Sequence, residues 1–544
     1  MPSQLKKYSV PSILAACLAA FAISACGSSS DDSGANELAK YAPADVPVYI
    51  EGAVQPNSDV AANIDSITDT LAGVNLGDLI KDSIDSESNG DVSFDADVKP
   101  WLGEDAAVFV QFDPADLANG SSLGSDELSS LTSDDSGMTS YDSGSDGEKF
   151  GLVVQTTDTD AAQSFIDKQA NTDSGSTDGD YEGFSYKVSK DDGTTVGIVD
   201  DNVVIGSSEE EFKAAVDASK GDNLADTDAF SDLSSHVADG ALASVFVSND
   251  PYLKAIEDQG LDLGGLYSAL GIDLEGSGTV VSLVPESNEI SMQGYSNAGS
   301  DLTSGDPTSV IETFPANTIF ATGSGDVGSN ATKIIDALNE EGIPGVLEPG
   351  QVDQFINEAS GQIDIKGILG SLETVAFFVN GNSEKTLGGA LVATSSDIKP
   401  IESSLRGISS LIGLAGDASV RPLPGGVAGF RVFTPDLPGR PIVVGVKGDR
   451  MVIGVGMKAS LNALTGGGQT LADSDAFKAA DASTETAGLD MFADPANIAK
   501  LIVNETPGDP DAKQIANVVR KFEYMAAGSS DGEGTFEFNL GLNK

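Results

Sequence analysis

Residues 224 to 230 read LADTDAF, and residues 471 to 477, 247 positions later, read LADSDAF. One seven-residue phrase returning with a single Thr-to-Ser change raises the question of an internal repeat, and its surroundings answer it. Asn202 to Gly206 (NVVIG) is answered by Arg450 to Gly454 (RMVIG) at an offset of 248, and Ala106 to Val110 (AAVFV) by Val375 to Val379 (VAFFV) at 269. Upstream, Tyr41-Ala-Pro-Ala-Asp45 with VPVYIEG corresponds to Phe314-Pro-Ala-Asn317 with TIFATG, Pro43 lying 272 positions before Pro315. At the far ends, Thr279 to Leu283 with Ile290 to Tyr295 reads as a closing hairpin, matched by Phe522 to Ala526 with Thr535 to Leu540. The matches keep their order, so the sequence predicts two tandem copies of one unit, residues 41–297 and 309–544 joined by a linker at 298–308.

Gly151-Leu-Val-Val154 reads against Gly389-Ala-Leu-Val392 at an offset of 238, which gives the first copy 31 extra residues after the AAVFV strand. They fall within Asp113 to Glu148, a stretch with ten Ser, nine acidic residues and no Lys or Arg. Such a segment cannot bury enough apolar surface to offset its ordering entropy, so it reads as a disordered acidic insertion, 113–148.

Within the first copy, Val48 to Gly52, Ala106 to Phe112, Phe150 to Thr156, Phe184 to Ser189, Thr195 to Val199 and Val203 to Gly206 alternate or run apolar as strands, and Val199-Asp-Asp-Asn-Val203 is a tight turn. Val60 to Leu71 and Ala161 to Ala170 have helical spacing. Ser208 with Glu211 reads as a capping box opening a further helix. Strands grouped with few crossover helices predict an α+β fold, each copy a mainly antiparallel sheet with packed helices.

The N-terminus predicts an address. Lys6 and Lys7 precede an apolar run, Ile13 to Phe21, too short to span a bilayer as a permanent helix, and Ile23-Ser24-Ala25-Cys26 resembles a bacterial lipobox. The expectation is a lipoprotein signal peptide over 1–25, lipid attached to Cys26, and a flexible Gly/Ser/Asp tether over 26–40. Cys17 lies in the segment to be removed, leaving Cys26 as the one thiol of the mature chain and no disulfide within it. The protein is expected outside the cytoplasm, held to the outer face of the cell membrane through lipidated Cys26.

With 85 acidic and 29 basic residues the formal net charge is −56, which makes nucleic acid and anionic headgroups poor partners for the body of the protein. Non-specific association with cations is expected; no protein or small-molecule partner is implied.

Motifs that carry chemistry reduce to bland readings. Gly323-Ser-Gly325-Asp-Val-Gly328 follows a strand and precedes a helix, as a dinucleotide site requires. The matching turn, Gly52 to Asn57, lacks the glycines, and a plain strand-to-helix turn suffices. Gly120-Ser-Ser122-Leu-Gly124 lies in the acidic insertion, and Ser396-Asp-Ile-Lys399 has no companion elements, so both read as chance matches. The single histidine, His236, reads as a surface loop residue. The inventory excludes Cys/His zinc, and the Asp-rich stretches lack EF-hand spacing. No catalytic, cofactor-binding or metal residues are assigned.

Phe94-Asp-Ala-Asp97-Val-Lys-Pro-Trp101-Leu-Gly103, with Gly197 to Gly206 and Ala218 to Asp226, resembles an actinobacterial family of secreted lipoproteins classed as a domain of unknown function. The likeness runs from Tyr41 through most of the chain and brings no assigned activity. The second copy departs from it, carrying Gln362-Ile-Asp-Ile-Lys366 and Leu369-Gly-Ser-Leu372 in place of the Trp-bearing segment. The functional expectation is a binding or envelope-associated structural module. The alternatives are a carrier of an apolar ligand or lipid in a cavity between the copies and, third, a carboxylate-based hydrolase.

Overall fold

The computed structural model describes residues 37–71, 92–111, 149–172, 175–258, 261–360, 365–414, 419–435, 437–484, 488–530 and 534–543. Cys26, the acidic insertion and Gly120 to Gly124 lie outside them. Two compact units emerge. Unit 1 is Met1–Gly260 with Leu274–Ser287 and Gly294–Ala298; unit 2 is Leu261–Asp273 with Asn288–Gln293 and Gly299–Lys544.

The strands in chain order are β1 (Val48–Ala53), β2 (Leu102–Gln111), β3 (Lys149–Thr156), β4 (Ser176–Tyr181), β5 (Phe184–Ser189), β6 (Thr195–Val199), β7 (Asn202–Gly206), β8 (Ala243–Ser248), β9 (Gly278–Glu286), β10 (Glu289–Ser296), β11 (Thr318–Ser324), β12 (Leu372–Asn380), β13 (Gly388–Ser395), β14 (Ser419–Pro422), β15 (Ala428–Phe433), β16 (Ile442–Lys447), β17 (Arg450–Val455), β18 (Met491–Ala493), β19 (Phe522–Ser529) and β20 (Thr535–Leu542). In unit 1 they pair in the order β4-β5-β6-β7-β3-β2-β1-β8-β9. In unit 2 the order is β14-β15-β16-β17-β13-β12-β11-β18-β19-β20. Every one of these pairings is antiparallel, so the fold is mixed α and β on a large antiparallel sheet, and the predicted α+β class holds.

The run Val203-Val204-Ile205 is buried throughout because helices cover both faces of the unit 1 sheet. On one face Tyr49, Phe109, Val153 and Val204 pack against Phe212 of the helix Glu209–Ala218 and against Leu224, Phe230 and Leu233. On the other, Val154, Val203 and Ile205 pack under Phe165 and Ile166 of the helix Thr159–Thr172, with Trp101 beside them. The opening phrases take one local form. Leu224–Asp226 and Leu471–Asp473 are single 3-10 turns, Thr227 and Ser474 accept from the amides of Phe230 and Phe477, and both leucines and both phenylalanines are buried. Phe230 meets Phe246 edge-on at 5.3 Å, as Phe477 meets Phe492.

Two local expectations need correction. Ser208 does cap its helix, but it accepts from the Glu210 amide, and Glu211 takes the Ser208 hydroxyl itself instead of closing a capping box back onto the cap amide. The second concerns register. Val153 pairs with Val204 and Val392 pairs with Val452, so Val153 and Val392 hold the same ladder position at an offset of 239. The reading of GLVV on GALV is one residue out, and a one-residue slip would turn every side chain to the opposite face.

Candidate functional site

The segment that carried the family resemblance builds one wall of a hollow in unit 1. Phe94–Val98 forms a short π-turn, after which the Trp101 indole Nε1 donates to the Asp97 carbonyl at 2.8 Å. The Asp97 carboxylate accepts from the Ser93 amide at 2.9 Å and from Lys168 Nζ at 2.6 Å, tying the segment to the helix Thr159–Thr172; Lys168 holds that carboxyl below its ordinary range. The Trp101 carbonyl accepts from the Thr156 hydroxyl and the Thr157 amide. The indole is thereby fixed, 2% exposed, tilted against Phe165 with ring centres 5.5 Å apart.

Beneath it lies a hollow of about 40 Å³ walled by Trp101, Phe165, Ile166, Val196, Val203 and Ile205. Its rim is polar, with Ser176, Lys187, Ser189 and Thr194. Lys187 is held by Asp178 at 2.8 Å and Asp167 at 3.4 Å, and the Lys190 ammonium lies beside Gly175 of the rim. Ladder register shows how the hollow arises. In unit 1 Ile205 faces Val196, which faces Lys187; in unit 2 Ile453 faces Val444, which faces Phe430. Continuing the count puts Ser189 level with Val432, Thr194 with Ile442 and Ser176 with Val420. In unit 2 those four apolar residues pack with Ile401 and Leu405 of the helix Lys399–Leu414. Unit 1 has polar residues at all four positions.

A second, open cleft of about 430 Å³ in unit 1 is polar, lined among others by Glu37, Lys40, Tyr41, Glu104, Asp200 and Asp201. The Tyr41 hydroxyl accepts from Asn202 at 2.7 Å and donates to Asp200 at 3.4 Å, and burial pushes it up to about 12. Deeper in the unit, the buried Glu51 carboxylate accepts from the Tyr49 hydroxyl at 2.6 Å; burial raises both groups well above their ordinary values. Asp105, on the next strand, is raised to about 6 by burial and then by Glu104.

The residues singled out from sequence are not brought together. His236 is exposed and stacks on Tyr295 with ring centres 3.5 Å apart, as a surface residue would. Ser396 donates to the Ser371 carbonyl, while Lys399 opens a helix. The three glycines of the G-x-G-x-x-G run serve close packing: an added Cβ would lie 2.8 Å from Pro307 at Gly323, 2.4 Å from the Gly305 backbone at Gly325 and 2.4 Å from the Leu372 carbonyl at Gly328. Asp326 stands at the N-terminus of the following helix, setting an acid where a phosphate would have to sit, and β11 is antiparallel to both neighbours. Among the described residues no group of three His, Cys, Asp or Glu is placed to hold a metal ion, and no helix is long and apolar enough to cross a membrane. The hollow escaped the sequence reading, although its signal was present: unit 2 reads Phe430-Arg-Val432 at the rungs where unit 1 reads Lys187-Val-Ser189.

Residues 12–542 match the family described as "Protein of unknown function (DUF3352)". The chain belongs to the DUF3352 family. The resemblance to a domain of unknown function is met at that level, and the match covers the Trp101 segment and both units of this DUF3352 protein. Comparison with curated proteins gives no match, and neither does comparison with solved structures.

Proposed function

We propose that this DUF3352 protein is a lipid-anchored extracytoplasmic binding module, made of two diverged copies of one α+β unit. The copy relationship is supported by the common strand order and by the twin 3-10 turns at Leu224 and Leu471. The observation that carries the binding role is the hollow under Trp101, whose rim is polar at four ladder positions where unit 2 packs Val420, Phe430, Val432 and Ile442. A chain needing both units only as structure would gain by packing both alike, since each unfilled methyl-sized void costs about 1 kcal/mol. The anchor reading is supported by Ile23-Ser24-Ala25-Cys26 and the short apolar run before it. Mass spectrometry of the mature N-terminal peptide tests it: Cys26 should carry diacylglycerol, Cys26→Ala should leave uncleaved precursor, and an unmodified Cys26 refutes the anchor. The second reading, a carrier of an apolar ligand or lipid, is favoured by the apolar walls of the same hollow.

A further inference from the structure

We propose that the paired arginines of β14 and β15 in unit 2 bind a small dianion of the phosphate-monoester class. The site is separate from the hollow in unit 1 and does not rest on it. Arg421 and Arg431 stand directly opposite each other on this antiparallel pair, with Ser419 and Phe433 next to them on the same face. The guanidinium carbons lie 5.3 and 5.6 Å from the centre of the Phe433 ring, so one aromatic ring holds both cations. Among the described residues neither arginine has an ion pair or a hydrogen bond, and β14 pairs with no strand but β15. Arg431 Nε is buried without an acceptor, while its terminal nitrogens stay accessible. Like charges opposite each other on a ladder are destabilising, and a chain with 85 acidic residues has ample means to neutralise them. Its lysines show this: Lys168, Lys187, Lys213 and Lys366 each contact a carboxylate. Arg440 is committed to the carbonyls of Glu384 and Leu387, Arg450 to the Thr313 hydroxyl and Arg520 to Asn517.

The surrounding chain departs from the acidity of the rest. Residues 417–465, from just before β14 to the end of the helix Met457–Thr465, hold six basic and three acidic residues, a net of +3. The stretch of unit 1 with the same ladder positions, 174–218, holds three basic and eleven acidic residues, a net of −8. The helix after β17 has no acid, whereas the helix after β7 has Glu209, Glu210, Glu211 and Asp217. At the rungs of the arginine pair unit 1 has Thr177 opposite Val188. Two adjacent guanidiniums select a dianion over a monoanion, and each planar fork matches the oxygens of a phosphate, which as a monoester carries about −1.5 to −2 at pH 7. The rest of the protein limits the ligand's size. With a screening distance of about 8 Å at physiological salt, a small anion feels the arginines, whereas a long polyanion would extend over a body of net charge −56.

Isothermal titration of the full chain with methyl phosphate, near pH 7 and at constant ionic strength, is the test. Saturable binding at one site is expected. Dimethyl phosphate and acetate, with one charge each, should bind about tenfold more weakly or worse. Arg421→Gln, at an exposed position, and Arg431→Gln should each weaken methyl phosphate by about tenfold or more, while Lys447→Gln, at an exposed cation on β16 outside the pair, should change it by less than about twofold. Arg421→Gln alone decides if Arg431→Gln does not fold. No saturable binding by the wild type, or binding unchanged in folded Arg421→Gln, overturns the proposal, and equal affinity for the monoanions overturns the dianion assignment. Monomeric dihexanoyl phosphatidic acid separates the two sources of such a phosphate: affinity equal to that of methyl phosphate supports a free ester, and binding more than about tenfold tighter overturns it in favour of a lipid headgroup.

Discussion

Replacing Glu51 by Gln should stabilise unit 1 at neutral pH and reverse sign in acid. Glu51 is 6% exposed on β1, and the hydrogen bond recorded for its carboxyl comes from Tyr49, a group that also resists ionising. Its folded-state value is raised well above normal by burial, chiefly, and further by Asp105 and Glu37. The folded state therefore holds this proton more tightly than the unfolded chain, whose glutamates titrate near about 4.3. Below that value the site does not affect the pH dependence of stability. As pH rises above it, stability falls by up to about 1.36 kcal/mol per unit until the folded carboxyl itself ionises. Each pH unit of that window lowers the midpoint by about 3–5 °C in a unit of this size. Glutamine keeps an acceptor for the Tyr49 hydroxyl and cannot ionise, but its amide hydrogens need partners, which costs about 1–3 kcal/mol where none are found. The stability curves of wild type and Glu51→Gln should cross, the variant weaker in acid and stronger at neutral pH. Asp105, raised to about 6, adds to the same falling slope until it is ionised near about pH 7, so the difference between wild type and Glu51→Gln, and not the slope alone, isolates Glu51. Thermal unfolding from about pH 4 to pH 8 decides the matter, and a constant difference between the proteins would refute a buried neutral carboxyl.

Three further outcomes are expected. Gly328→Ala should destabilise by about 1–3 kcal/mol, because its Cβ would press on the carbonyls of Leu372 and Gly370; urea unfolding reads this, and a neutral effect would return the glycine run to question. Phe230→Ala and Phe477→Ala, each removing a ring less than 5% exposed, should cost about 3–5 kcal/mol apiece in the unit that contains it; a loss under about 1 kcal/mol at either would break the equivalence of the two phrases. Stability should rise with sodium chloride, since a net charge of −56 repels itself and the screening length falls from about 30 Å at about 0.01 M to about 3 Å at about 1 M; a flat or falling midpoint removes that repulsion as a significant factor.

Strand positions were legible where the chain supplies alternation and turn chemistry together. Phe184–Ser189 and Thr195–Val199 fall where the pattern puts them, and Asp200 adopts the positive φ of 51° that the Asp-Asp turn demands. Register was not legible at Gly151 to Val154, because a strand buried on both faces has no polar residue to mark its sides, and Gly-Leu-Val-Val matches equally well one step away. The hollow was hidden for a related reason. Lys187, Ser189 and Thr194 look like the solvent face of an ordinary half-buried strand until Phe430, Val432 and Ile442 show what the same rungs hold when packed.

The same comparison explains where the buried acids stand. On β1 Glu51 faces Ser244 of β8; in unit 2 the level position on β11 is Gly323, facing Asp490 just before β18. Gly323 cannot carry a side chain, because a Cβ there would meet both Ala376 and Pro307 at 2.8 Å, so any acid at that crossing must come from the neighbouring segment. Asp490 takes that place, accepting from the Ser529 hydroxyl as Glu51 accepts from Tyr49, and burial raises it as well. Each unit thus sets one reluctantly ionised carboxyl at one crossing of its sheet, from different strands and with different donors. Asp490→Asn should accordingly flatten the pH dependence of unit 2 with the same sign as Glu51→Gln in unit 1, and more weakly, because Asp490 is less deeply buried than Glu51. A pH-independent effect at Asp490 would mean that the two crossings share geometry without sharing a proton.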